Sequence, residues 1–213
     1  NPDNPTGSYV TDKELKGFLS MVPDDVLVFL DEAYYEFATA GDYPETLSYA
    51  LDGKKNVIVS RTFSKAYSLA GLRIGYGITR PELAGVLNKV REPFNVNSLA
   101  QAAAIAALDD QKYMKGSVAL IEKEKYRLYA FLKKAGMNYV DSQTNFVLID
   151  TGGRPSADVF NFLLKKGVIV REMSGWGLEG FIRVNLGLPE ENDIFMESFK
   201  AALEAIPVQK RAS

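Results

Sequence analysis

The sequence predicts an α/β protein, with a largely parallel sheet flanked by helices followed by a smaller α+β unit. Two apolar runs in the first part, "VLVFL" at 26–30 and "NVIVS" at 56–60, alternate with helical patterns, as strands of a covered parallel sheet do. From Pro81 onward helical periodicity dominates for roughly fifty residues, and strand-like runs return only afterwards.

Taken in order, the chain opens with "NPDNPTG", a run of turn-forming residues. Thr11 followed by Glu14 reads as a capping box, and Leu15, Phe18, Leu19 and Val22 fall at helical spacing. "VLVFL" then reads as a strand buried on both faces and ending at Asp31-Glu32, and "NVIVS" repeats the pattern. "LRIGYGI", from Leu72, is a third strand broken by glycines. Three helices are expected next: "PELAGVLNKV", the alanine-rich "SLAQAAAIAALDD" as close-packed core, and an amphipathic stretch from Gln111 to Ala135 stopped by Gly136 and Asn138. "NFVLID", "VIVRE" and "FIRVNLG" are strand candidates, separated by a helix from Ser156 and a mobile Gly-rich loop, "SGWGLEG". A helix from Pro189 to Ile206 follows, with a frayed "QKRAS" tail. The expected division is a partial large domain over 1–112 and a small α+β domain over 113–213.

Composition narrows the chemistry. A formal net charge of -2 over 213 residues offers no basic footprint for nucleic acid, and no apolar run reaches the roughly 18 residues of a membrane span. With no cysteine and no histidine, disulfides, thiolate catalysis, imidazole bases and the usual transition-metal ligands are all excluded, so no metal site is expected. Proton transfer near neutral pH falls to Lys, Tyr or a carboxylate, and a reducing cytoplasm is the expected compartment. The turn-like opening without an initiator Met leads us to expect the later part of a longer polypeptide.

Asp31 closes one expected strand and Lys65 lies just past the end of the next, at the sheet edge where open α/β folds bind ligands. A carboxylate buried there needs a partner, because desolvating it alone is costly. A lone lysine on a loop is ordinarily a solvated surface group, but "SRTFSKAYSLAGLRIGYG" places Lys65 near another cation, Arg73, with no acidic residue in the run. An amine held beside a cation in a poorly solvated pocket becomes a nucleophile towards carbonyls. The Thr62 and Ser64 hydroxyls and the Arg73 fork suit a phosphate monoester. A phosphate, a carbonyl-seeking lysine and a carboxylate free to pair with a pyridinium nitrogen together point to pyridoxal 5'-phosphate.

These three motifs, "NPDNPTG", "DEAYYEF" and "SRTFSKAYSLAGLRIGYG", resemble in order and spacing those of the fold-type I, pyridoxal-phosphate-dependent aminotransferases of class I/II, and most closely the histidinol-phosphate aminotransferase group. The resemblance implies that this chain is the C-terminal part of that transferase fold, since the family carries a longer portion before "NPDNPTG". It implies that Lys65 binds the cofactor covalently and moves a proton between the substrate Cα and the cofactor. Asp31 would hold the ring nitrogen protonated; Asn4 and Tyr34 would bond the ring oxygen; Thr62, Ser64 and Arg73 would hold the phosphate. Arg183 in "FIRVNLG" matches the substrate-carboxylate arginine, Arg171 in "VIVREM" a second substrate arginine, and Asn145 in "TNFVLI" a position near the substrate.

The implied activity is transamination between glutamate or 2-oxoglutarate and histidinol phosphate or imidazole-acetol phosphate, in a cytoplasmic homodimer, with neither nucleic acid nor membrane as partner. Two other readings share these motifs: an aromatic amino-acid aminotransferase or a threonine-phosphate decarboxylase. A more distant one is a non-catalytic ligand-sensing module.

Overall fold

The computed structural model describes residues 1–209, and its contacts divide the chain into two compact units. The first comprises Asn1–Pro2 and Tyr9–Val118; the second comprises Asp3–Ser8 and the chain from Ala119 on. Of the "QKRAS" tail, residues 210–213 lie outside the described residues.

The first unit begins with α1 (Asp12–Met21), whose capping box forms as expected. Glu14 N–H donates to Thr11 Oγ1 at 3.3 Å, and Thr11 N–H donates to Glu14 Oε2 at 2.9 Å. Two of the orphan donors at the helix start are thereby satisfied. Strands β1 (Leu27–Asp31) and β2 (Asn56–Thr62) are parallel, with Asp31 opposite Ser60, and the connection between them carries the short helix α2 (Thr46–Leu51). Strand β3 (Gly75–Ile78) joins the other side of β2 antiparallel, giving the order β1-β2-β3. Its link back from β2 holds a 3-10 turn, Ala70–Leu72, and, among the described residues, no crossover helix of the kind that usually returns a chain parallel. That turn, with left-handed Arg73 at φ 54, shortens the expected "LRIGYGI" strand to its last four residues.

Burial departs from the sequence reading at β1. Val28 is buried but Leu27 is 51% and Phe29 60% exposed, so the run is covered on one face only. That face packs Val28 with Val57 and Val59 of β2 against Leu15 and Leu19 of α1 and Ala50 of α2. Helices α3 (Pro81–Val90), α4 (Ser98–Asp109) and the start of α5 (Gln111–Lys134) complete the unit. The alanine-rich α4 is not close-packed all round: Ala100 and Ala104 are buried, whereas Leu99 and Ile105 are exposed.

The second unit holds the rest of α5, β4 (Phe146–Asp150), α6 (Ser156–Lys165), β5 (Arg171–Glu172), β6 (Phe181–Asn185) and α7 (Pro189–Ala205). Its sheet runs β4-β6-β5 with antiparallel pairs throughout. "VIVRE" contributes only Arg171 and Glu172 to it. The core gathers Leu128 and Leu132 of α5, Val147 and Ile149 of β4, and Phe195 and Phe199 of α7. Left-handed Gly136, at φ 69, closes α5 as expected.

Candidate active site

In the first unit the candidate residues stand at the C-terminal ends of β1 and β2. Asp31 and Ser60 are cross-strand partners, so their side chains share one face of the sheet. Asp31 Oδ1 accepts from the Ser60 hydroxyl at 3.3 Å and from Ala33 N–H at 3.1 Å, and both bonds fall on the same oxygen. The carboxylate is thus oriented while Oδ2 accepts no hydrogen bond among the described residues. Past β2, Thr62 Oγ1 accepts from Ser64 N–H at 3.0 Å, which tightens the backbone just before Lys65. Lys65 Nζ lies 5.3 Å from the ring centroid of buried Tyr34. Left-handed Arg73 donates from Nη1 to the Ala70 carbonyl at 2.9 Å.

Two expectations about this region are corrected. Asp31 is exposed, and the buried carboxylate is its neighbour Glu32, with 0% exposure. Lys65 is also exposed rather than held in a poorly solvated pocket, because it sits on the loop leaving β2.

The residues missed by the sequence reading lie on the opposite face of the same strand ends. Glu32 Oε2 accepts from Arg61 Nε at 2.9 Å, and the two side chains are 0% and 8% exposed. Glu32 Oε1 takes Thr46 Oγ1 at 2.7 Å and Tyr43 Oη at 3.1 Å. The Arg61 guanidinium carbon lies 3.4 Å from the Tyr35 ring centroid. Burial works against the Arg61 charge, but the Glu32 carboxylate outweighs it and holds the guanidinium above its usual range. Burial also pushes the nearby Glu36 carboxyl up, and pushes the Tyr43 phenol well above its ordinary value, helped by the Glu32 charge. Alternation was the available signal: if Asp31 and Ser60 face one way, Glu32 and Arg61 must face the other.

In the second unit, the opening turn and β6 meet. Arg183 Nη1 donates to Asn4 Oδ1, and the Arg183 guanidinium carbon lies 4.8 Å from the Phe146 ring centroid. The turn is seated by Gln143 N–H donating to the Gly7 carbonyl at 2.8 Å. Gly7, at φ 78, permits this approach, since a Cβ there would stand 2.3 Å from Ser142 Oγ. Arg171 of β5 is the register partner of Arg183, so the two side chains leave the same face of the sheet from neighbouring strands. Like charges so placed repel, and an anion between them removes the penalty. Asn145 Oδ1 is buried and accepts no hydrogen bond among the described residues.

The structure therefore brings Asp31, Tyr34, Thr62, Ser64, Lys65 and Arg73 into the first unit, and Asn4, Asn145, Arg171 and Arg183 into the second. No helix among the described residues is long and apolar enough to cross a membrane.

Comparison with known proteins places this arrangement. The profile of the class I and II aminotransferases matches residues 1–199. The chain is 48% identical over 97% of its length to histidinol-phosphate aminotransferase 2 of Carboxydothermus hydrogenoformans, and 47% identical over 95% to histidinol-phosphate aminotransferase of Moorella thermoacetica. It spans about half the length of these curated relatives, 57% and 52% respectively. Among solved structures it superposes with a TM-score of 0.84 on the histidinol-phosphate aminotransferase of Sinorhizobium meliloti in complex with pyridoxal 5'-phosphate, at 33% identity, covering 96% of this chain and 56% of that one. From its strand-end carboxylate and loop lysine to its paired arginines, the chain belongs to the class I and II aminotransferase family.

Proposed function

We propose that the protein containing this chain is a pyridoxal-phosphate-dependent aminotransferase that moves an amino group between glutamate or 2-oxoglutarate and histidinol phosphate or imidazole-acetol phosphate. The observation that carries this reading is the register of Arg171 against Arg183 in the second unit, within a chain of this family. A carboxylate-bearing donor and a phosphate-bearing donor both present an anion that two arginines on one sheet face can bind.

The residues of the first unit fit the cofactor. Asp31, fixed through Oδ1 and open at Oδ2, is disposed to pair with a protonated ring nitrogen. The Thr62 and Ser64 hydroxyls and the Arg73 guanidinium suit its phosphate, Tyr34 its ring oxygen, and Lys65 its aldehyde. When bound, pyridoxal phosphate supplies an electron sink that acidifies the bond at the substrate Cα. Lys65 Nζ, with no carboxylate within ion-pair distance among the described residues, is the group that accepts and returns the Cα proton. Arg183 and Arg171 bind and orient the anionic end of the substrate, and Asn145 Oδ1 is disposed to accept a donor from it. A cytoplasmic homodimer is the assembly proposed from the family resemblance.

The test is turnover of the full-length protein with histidinol phosphate and 2-oxoglutarate. Glutamate formation supports the reading. With threonine phosphate supplied instead, release of carbon dioxide without dependence on a 2-oxo acid indicates the decarboxylase reading, and faster turnover of tyrosine or phenylalanine than of histidinol phosphate indicates the aromatic aminotransferase reading.

A further inference from the structure

We propose that the buried pair Glu32–Arg61 is a positioning device that fixes the strand ends carrying Asp31 and Lys65; its role in catalysis rests on the function proposed above. The argument begins with strand parity. Asp31 and Ser60 occupy one face, and the next residue of each strand, Glu32 and Arg61, turns to the other and meets at 2.9 Å. Glu32 N–H also donates to the Ser60 carbonyl at 2.8 Å, so the ladder continues one residue beyond β1. Asp31 is therefore flanked on its C-terminal side by a residue held through both backbone and side chain.

Arg61 has restraints of its own, although its buried Nη2 has no hydrogen-bond partner among the described residues. Tyr35 stacks on its guanidinium, and β3 approaches its backbone so closely that a Cβ on Gly75 would lie 2.7 Å from the Arg61 carbonyl oxygen. Between Arg61 and Lys65 the chain is tied again, by Ser64 N–H on Thr62 Oγ1. A shift of Arg61 therefore has little slack in which to dissipate before it reaches Lys65. The groups facing Arg61 are Glu32 beyond β1, Tyr35 and Glu36 of the following turn, Tyr43 ahead of α2, and Tyr76 of β3.

Stability alone does not account for such a pair. Desolvating two charges costs about as much as their attraction returns, and an apolar pair of similar volume holds strand ends at least as well. What the ion pair adds is direction: Arg61 Nε meets one Glu32 oxygen, while Thr46 and Tyr43 fix the other.

The test compares Arg61→Lys, the double variant Glu32→Leu/Arg61→Met and, as a control in the second unit, Glu124→Gln, all in the full-length protein. Three readouts are taken: thermal melting, amide hydrogen exchange at Glu32, Ala33 and Ser64 without cofactor, and the pH dependence of visible absorbance with added pyridoxal phosphate. The double variant is expected to melt within about 4 °C of the parent. It should nonetheless lose about tenfold in exchange protection at Ala33 and Ser64. Its absorbance midpoint should move by about half a pH unit or more, with kcat about tenfold lower and KM little changed. Arg61→Lys, which keeps the charge and loses the fork, should fall between the two, and Glu124→Gln should leave exchange at those amides and the absorbance profile unchanged.

A double variant with parental exchange, absorbance profile and kcat would overturn the positioning role. A parent protein that binds no pyridoxal phosphate would instead overturn the proposed function, and the exchange measurement would still decide whether the pair holds the strand ends.

Discussion

Each unit buries one glutamate completely, and the two are held in different ways. Glu32 in the first unit is paired with an arginine that is itself only 8% exposed, with a threonine and a tyrosine closing the remaining oxygen. Glu124 in the second is paired with Arg127, which is 37% exposed and reaches on to the half-exposed Asp193. Asn192 of α7 donates to Glu124 Oε2 at 2.9 Å, so the cluster joins α5 to α7. The same side chain thus serves a closed pair under a set of chemical groups in one unit and an open staple between helices in the other. Where water reaches the cation, the pair is replaceable; where it does not, removal of one member strands a charge.

The largest expected effect is on activity and falls in the first unit, where the proposed proton-transfer lysine stands. Replacing Lys65 by Ala should lower turnover of the full-length protein by roughly 10²–10⁴-fold, the usual contribution of a positioned proton-transfer group. Borohydride reduction followed by mass spectrometry should find the cofactor on Lys65 in the parent and not in the variant. Retained turnover would remove Lys65 from the mechanism.

Next comes Arg61→Met alone, which leaves Glu32 buried without its cation. A loss of about 3–5 kcal/mol in urea unfolding is expected. A loss below about 1 kcal/mol would mean that water reaches Glu32 and that the contrast between the two clusters is false.

Glu124→Gln should cost less, about 1–2 kcal/mol at neutral pH, since Arg127 is partly solvated already. Here pH gives a signature. Burial pushes the Glu124 carboxyl up, but hydrogen bonds from Arg127 and Asn192 outweigh it and hold it below its ordinary value of 4.5. Its stabilisation is therefore complete above that value and is lost as pH falls through the depressed one. The gap between parent and variant should narrow on acidification below 4.5; a constant gap would contradict the assignment.

The smallest effect has the opposite sign. Burial raises the Glu36 carboxyl, and its Oε2 has no hydrogen-bond partner among the described residues. Ionisation therefore destabilises the fold as pH rises past the ordinary carboxylate range. Glu36→Gln should raise Tm by up to about 2–4 °C at neutral pH, equivalent to about 1 kcal/mol, with no gain under acid conditions. A drop in Tm at neutral pH would show that the charged form is used.

Local signals were legible in the sequence, and pairings between distant segments were not. Thr11 and Glu14 announced α1 because a capping box is a property of four consecutive residues. Gly136 announced the end of α5 for the same reason, and the order of motifs placed Asp31 and Lys65 at the ends of parallel strands. The exposure of Leu27 and Phe29 was hidden because a continuous apolar run does not say which of its faces is covered. Glu32 with Arg61 was hidden for another reason, and Arg171 with Arg183 came together only through the family resemblance. Each meeting depends on strand register across about 10 to 30 residues, which composition and periodicity do not encode. The exposure of Asp31 follows from the same parity that buries Glu32.

The seating of the opening turn limits how this protein can be taken apart. Asp3–Ser8 belongs by its contacts to the second unit, and it supplies Asn4 to Arg183 and the Gly7 carbonyl to Gln143. A fragment cut within α5 to isolate the second unit would leave these six residues behind on the other piece. Its β6 arginine would lose a native partner and Ser142 would lose the backbone packed against it. The second unit is therefore not a transplantable module along the chain, and a grafted or circularly permuted version would need "DNPTGS" stitched back on to keep Arg183 in place.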